Sequence, residues 1–303
     1  MSLVVLVTGA STGLGLAIAR TLLADTDHRV VLTARPASLG RFAEQGIAAG
    51  PRVKLCALDV VSPEHRDAVI AEVERDWGGI DVLINNAGVS YRSVVEHVSE
   101  VERLEQMNIN FRSPMELTRL ILPGMRRRRR GRIINISSVG GMMAMPTMAV
   151  YSASKFALEG ASEAMWYEVR PWNIHVTLVE PGFIRSSSFK KVRLTRLSHS
   201  SIQHDDDAYH AHYHYMEPFI ERMMGATWAT PERIARSVVR LIRRRRPPLR
   251  LYATPDAWLF AMLRRLLPRR LYHWLLYVSL PRIYRWGPRA GALPSPEQEA
   301  PTP

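Results

Sequence analysis

The sequence predicts an α/β fold: a doubly wound parallel sheet in a single domain, with a helical lid insertion and a basic amphipathic C-terminal extension. Three observations carry this. Short apolar runs alternate with amphipathic stretches through the first 180 residues, which is the pattern of βα units on a parallel sheet. A glycine-rich run sits between the first apolar run and the first helical pattern. The length of 303 residues and a hydrophobic content of 47 % supply core enough for one large domain.

The first run, Leu3–Val7, leads directly into Thr8-Gly9 and reads as a buried strand; it lacks the charged region and cleavage site of a signal peptide. Further strands are predicted at Arg29–Thr33, Val53–Ala57, Val82–Asn85, Arg132–Ile136 and His175–Val179, each short and rich in leucine or β-branched residues. Helical patterns lie near Leu14–Ala24, Pro63–Asp76, Val101–Met125 and Tyr151–Arg170. Right-handed crossovers fix the hand of the sheet.

After Gly182 the pattern breaks. Residues 183–230 read as a substrate lid, polar, histidine-rich and poorly periodic beyond residue 186. Three histidines at alternate positions, His210, His212 and His214, would share one face of an extended strand. A solvated polar lid with no metal is the preferred reading, and His210 is the candidate for a substrate contact. A helix resumes at Pro231–Arg243, with Thr230 as N-cap and Pro231 at the first helical position. Leu249–Tyr252 is the last strand, and the domain closes near residue 255. Residues 256–286 mix Trp258, Leu259, Trp274 and Leu275 with Arg264, Arg265, Arg269 and Arg270. Such a segment either packs on the domain or on a second subunit, or lies on a membrane surface, giving peripheral membrane association. Residues 287–303 are rich in Pro, Ala and Glu and are expected to be disordered.

Charge and cysteine content narrow the function. One cysteine, Cys56, excludes a disulfide framework and a thiolate metal site, and suits a cytoplasmic protein. The net charge of +13 comes largely from two arginine blocks, Arg126–Arg130 and Arg243–Arg246. Both follow helical patterns, where cations favour the helix C-terminus. The first block is expected to be a solvated helix end. No nucleic-acid motif accompanies the charge, so no nucleic-acid partner is expected.

The chemistry starts at Gly9-Ala10-Ser11-Thr12-Gly13-Leu14-Gly15, between the first strand and the first helix. There glycines permit a tight turn and the helix N-terminus binds a pyrophosphate. Gly9, Ser11, Thr12, Gly13, Leu14 and Gly15 are therefore candidate cofactor residues. At the end of the second strand, where an acidic residue would bind a ribose hydroxyl, stand Ala34 and Arg35. Arg35 pairs well with a 2′-phosphate, which favours NADP(H) over NAD(H). Tyr151 and Lys155 are four residues apart on a helical pattern, hence on one face. An adjacent ammonium is expected to lower the phenol pKa and make it a proton shuttle.

These motifs, in this order, resemble the short-chain dehydrogenase/reductase family over residues 3–255, and therefore imply a Rossmann fold. Asp59 and Val60 are similar to its adenine-contacting residues. Asn86, Ala87 and Gly88 resemble its run after the fourth strand, beside the cofactor. Asn110 and Ser138 match two members of its catalytic tetrad, with Tyr151 and Lys155; Asn108 is the weaker alternative to Asn110. Pro181 and Gly182 resemble the turn beside the nicotinamide, followed by Ile184 and by Ser186, where the family often has Thr. The resemblance implies that Tyr151 is the general acid or base. Lys155 would assist it and hold the nicotinamide ribose. Ser138 would bind the substrate oxygen, and Asn110 would anchor a water.

The segments around Val139-Gly140-Gly141 and Tyr151–Gly160 look like the 17β-hydroxysteroid and retinol dehydrogenase branch. That implies a hydrophobic ketone, aldehyde or alcohol, with Ser138, Met145, Tyr151 and His210 at the substrate. It also implies a homodimer or homotetramer. Two classes remain: an oxidoreductase, and a non-catalytic cofactor-binding protein associated with a membrane. The complete tetrad favours the oxidoreductase.

Overall fold

The structure, a computed structural model, describes residues 2–185 and 192–287. Seven parallel strands form its sheet: β1 (Val4–Val7), β2 (Arg29–Ala34), β3 (Val53–Ala57), β4 (Val82–Asn85), β5 (Gly131–Ile136), β6 (Ile174–Glu180) and β7 (Arg250–Tyr252). Their order is β3-β2-β1-β4-β5-β6-β7, the doubly wound arrangement. All four residues of β1 and of β4 are buried, because helices cover both faces.

Helices α1 (Gly13–Asp25) and α9 (Pro231–Arg243) cover one face. Ile18 and Leu22 meet Ile234, Val238 and Ile242 there, over Val5, Val7 and Ile84. On the other face α3 (Pro63–Trp77), α5 (Ser113–Arg128) and α6 (Ala149–Val169) supply Val69, Leu117, Ile121 and Met165. Local signals set the ends of these helices. Ser62 caps α3 by accepting from the His65 amide at 3.1 Å, and Gly78 ends it at φ 77°. The short α2 (Gly40–Glu44) follows β2.

The predicted helix Val101–Met125 is interrupted. After α4 (Glu100–Met107) comes one π-helical turn, Asn108–Arg112, and then α5. Such turns recur at functional sites, and this one holds Asn110.

The lid departs from its predicted form. It contains α7 (Arg196–Gln203) and α8 (His210–Ala226), so His210, His212 and His214 lie on a helix rather than on a strand. Helical spacing separates His212 from the other two. The His210 and His214 rings stack with centroids 5.5 Å apart, whereas His212 lies against Trp286 at 4.6 Å. Apolar periodicity is weak in α7 because much of its packing is polar. The buried Ser198 hydroxyl donates to Ser93 at 2.6 Å, and Tyr213 receives the Val94 amide at 3.0 Å.

The first arginine block is likewise not simply solvated. Arg128 donates to the Ile80 carbonyl at 2.7 Å, Arg128 and Arg130 face the Asp81 carboxylate, and Arg126 lies over Trp172. The extension forms α10 (Pro255–Leu266) and α11 (Arg269–Ser279), packed inward through Ala257 and Tyr272. Among the described residues no helix is long and apolar enough to cross a membrane.

Candidate active site

The C-terminal ends of the parallel strands converge on a cleft, where open α/β sheets bind ligands. The turn after β1 gives it a floor. Gly9 and Gly13 adopt φ values of +63° and +57°, which favour glycine. A Cβ at Gly15 would lie 2.2 Å from the Gly9 carbonyl oxygen, so backbone fills the place of a side chain. Thr12 opens α1 without a side-chain cap and no acid stands in the first turn, leaving the helix N-terminus to an anion. Asn86 ties this turn to the next strand by donating to the Thr8 and Gly9 carbonyls at 2.9 and 3.1 Å. The Thr8 hydroxyl accepts the amides of Asn86 and Ala87 at 2.9 and 3.0 Å.

At the outer end is a cavity of about 290 Å³, lined by Gly9, Ser11 and Thr12, by Arg35 and Arg41, by Asp59 and Val60, and by Asn86, Ala87 and Gly88. A neighbouring cleft of about 900 Å³ runs inward past Gly13, Leu14 and Gly88 to Tyr151, Lys155, Pro181 and Ile184. Every predicted cofactor residue within the described segments thus lies in or beside one continuous groove. Ser186 lies outside them. The donor set fits a nicotinamide dinucleotide: bare amides at a helix start, the Arg35 guanidinium just after β2 and that of Arg41 on α2. Arg41 was not read from the sequence. It lies on α2, six residues beyond Arg35, in a stretch with no strand-end signal.

Ser138 and Tyr151 meet on the inner side. Tyr151 packs so tightly on Gly140 that a Cβ there would lie 3.0 Å from the ring. Burial pushes the Tyr151 phenol up, opposed by a hydrogen bond to Ser138. Burial also brings the Lys155 ammonium down to about 8, while the Glu159 carboxylate holds it up. The expected lowering of the phenol by its neighbour is therefore not the leading effect here; desolvation is. Lys155 Nζ donates to the Ile136 carbonyl at 2.9 Å and stands 5.8 Å from the Tyr151 ring centre.

Asn110 is buried beneath them. Its amide exchanges hydrogen bonds with the Val89 backbone at 2.9 and 2.8 Å and donates to Ser154 at 3.0 Å. A Cβ at Gly88 would lie 3.2 Å from Asn110 Oδ1 and 4.0 Å from Lys155 Nζ, so Gly88 keeps the space between them clear. Asn108 instead receives Ser113 at its carbonyl, on the helix backbone.

Behind this centre is a charged cluster that the sequence did not announce. Ser137 donates to Glu159 at 2.7 Å, and Arg250 of β7 binds both Glu159 and Glu180. Glu180 is fully buried; burial and the Glu159 charge push its carboxyl up to about 7, against the pull of Arg250. The next residue begins the Pro181-Gly182 turn. Pro181 accepts the Val139 amide at 2.8 Å, the Gly182 amide donates to Thr254 at 2.9 Å, and that of Phe183 donates to Asp256 at 2.8 Å.

Beyond Ser138 and Tyr151 lies a second cavity, about 260 Å³, with apolar walls from Met145, Met148, Phe183, Ile220 and Met224. Ser90 and the buried Arg92 also line it, and Arg92 faces Glu217 at 3.8 Å. Of the predicted substrate residues, Ser138, Met145 and Tyr151 come together here. His210 does not line it; its ring meets the Ser201 carbonyl at 2.9 Å. The lid contributes through the apolar Ile220 and Met224, farther along α8, where the histidine pattern drew attention away.

What the strand ends and the cluster of Ser138, Tyr151 and Lys155 point to is an enzyme that moves a hydride between a nicotinamide and a CH–OH carbon. The short chain dehydrogenase family matches residues 3–197. The chain is 33 % identical over 270 residues to a 3-ketodihydrosphingosine reductase of Bacteroides thetaiotaomicron, covering 84 % of this chain and 93 % of that one. It is 33 % identical over 251 residues to retinol dehydrogenase 8 of Homo sapiens, covering 81 % of this chain and 79 % of that one. A metagenomic short-chain oxidoreductase in complex with NADP aligns with a TM-score of 0.63 at 28 % identity, over 83 % of this chain and 97 % of that one. This chain belongs to the short-chain dehydrogenase/reductase family.

Proposed function

We propose that this oxidoreductase is NADP(H)-dependent and interconverts a hydrophobic ketone or aldehyde with its alcohol, on a steroid-, retinoid- or lipid-like substrate. The observation that carries the substrate class is the apolar chamber of Met145, Met148, Phe183, Ile220 and Met224, which opens onto Ser138 and Tyr151. Apolar walls with a few placed polar groups suit such a ligand. Two relatives named for retinol and 3-ketodihydrosphingosine agree with it. Arg35 and Arg41, beside the uncharged Ala34, favour a 2′-phosphate.

When bound, the nicotinamide supplies the hydride. Ser138 holds the substrate oxygen and stabilises charge developing on it. Tyr151, protonated at neutral pH as phenols are and kept so by burial, gives its proton to that oxygen in reduction and takes it back in oxidation. Lys155 holds the nicotinamide ribose and supports the phenolate as it forms. Asn110, on its π-turn, anchors a water that renews the proton. We also assign a homodimer or homotetramer, supported by a groove between α5 and α6 lined by Leu122, Met165 and Trp172. The cytoplasm is the proposed compartment, in keeping with the unpaired, buried Cys56.

A panel of apolar and polar carbonyls reduced with NADPH or NADH tests the reading. Tyr151→Phe should lose roughly 10²- to 10⁴-fold in kcat, the usual worth of a general acid, while NADPH still binds. Full turnover by that variant would falsify the role of Tyr151, and a preference for polar carbonyls would remove the substrate class.

A further inference from the structure

Helix α11 has two apolar faces. Tyr272 and Leu276 point inward, Tyr272 buried and Leu276 packed on the cluster of Val139, Met142 and Met143. Leu271, Trp274, Leu275 and Val278 follow the spacing i, i+3, i+4, i+7 on another side, and all four are exposed, Trp274 by 57 %. No described element covers them. Neighbouring α10 exposes Trp258, Leu259 and Leu266, the last by 74 %. Exposed apolar helix faces of this kind mark an interaction site.

Charge selects the partner. Arg264, Arg265, Arg269, Arg270, Arg282 and Arg285 lie in this segment. Against them stands one acid, Asp256, which is engaged with the Phe183 amide. A second copy docked through the same patch would set these arginines against their own equivalents. An anionic surface takes both features: arginines at the headgroups, tryptophan and leucine at the acyl boundary. Neither helix can span a bilayer, α10 having 12 residues and α11 11, so both would lie in the interface plane.

We propose that the outer face of α10 and α11 docks on the surface of a bilayer bearing anionic lipids. The inner side of the same pair packs on Val139, Met142 and Met143, where Met145 of the substrate chamber also packs. Docking therefore places the chamber beside a reservoir of apolar molecules. That delivery role, unlike the docking, rests on the apolar-substrate reading above.

Co-sedimentation of the full chain with phosphatidylcholine vesicles, with and without 30 mole per cent phosphatidylglycerol as an order-of-magnitude choice, decides it. Binding should require the anionic lipid and fall with salt. The pair Trp274→Asp and Leu275→Asp, and separately Arg269→Glu with Arg270→Glu, should each weaken partitioning on the order of tenfold or more. Both should reduce a water-soluble carbonyl at the unmodified rate, which shows that they fold. Wild-type protein that stays in the supernatant with anionic vesicles overturns the proposal. So do variants that sediment like the parent, or a lipid-free parent dimer that the Trp274 variant splits. If vesicles bind but no apolar carbonyl is turned over, the docking stands and the substrate reading falls.

Discussion

The cofactor groove and the substrate chamber share Ser90, Tyr151 and Val192 in their walls but are built differently. The floor of the groove is backbone. Its turn needs positive φ at Gly9 and Gly13 and cannot admit a side chain at Gly15. The chamber is side chain, drawn from loops after β4 and β5, from α6, and from Phe183, Val192, Ile220 and Met224 of the lid. A ligand common to a large family can be held by amides, which every residue carries. A particular substrate has to be recognised by side chains, and these come from parts of the chain with few fixed conformational demands. The extension joins the two, since Thr254 and Asp256 at the start of α10 hold the Pro181-Gly182 turn.

That joint is where the contrast breaks most sharply. A Cβ at Gly182 would lie 1.8 Å from Asp256 Oδ2. Gly182→Ala should displace the nicotinamide side and the substrate side together, lowering kcat/KM on the order of 10²-fold, as misplacement by an ångström does. Paired measurements of NADPH affinity and substrate KM check this. A change confined to one of them would mean that the two regions are not coupled at this turn.

A cofactor-only change should leave the chamber alone. Arg35→Ala with Arg41→Ala should raise the KM for NADPH by roughly tenfold to a hundredfold, the worth of charged hydrogen bonds, with substrate KM unaltered. Efficiency with NADH should stay as it was; an equal loss with both cofactors would remove the 2′-phosphate assignment.

The smallest effect concerns protons. Lys155 holds its charge below about 8 and loses it as pH rises through that value, while the raised Tyr151 phenol stays protonated. Carbonyl reduction should therefore decline on the alkaline side of about pH 8 because of the lysine. Glu159→Gln, which removes the carboxylate that raises Lys155, should move this decline to lower pH. A pH profile of kcat/KM that shifts the other way, or not at all, would separate Glu159 from the proton chemistry.

Much of the fold was legible because its signals are local. Val53–Ala57 and Val82–Asn85 match their predicted ends, and the remaining strands differ by a residue or two. Thr230 caps α9 as its sequence context suggests. The lid was not legible. Helix α7 closes its packing with Ser198 and Tyr213 hydroxyls, which hydropathy counts as polar although they are buried. The alternating histidines suggested a shared strand face, but α8 divides them between its sides.

The same division holds for the site. The sequence by itself determined the glycine turn after β1, the Tyr151 and Lys155 spacing and the family, because each depends on residue type at short spacing; Ser138 and Asn110 entered through the family resemblance. Only the tertiary structure decided which side chains wall the chamber, that Arg41 joins Arg35, and that Arg250 bridges Glu159 and Glu180. It also decided the direction of the Tyr151 shift. Burial and encounters between distant segments set these properties, and neither follows from local spacing.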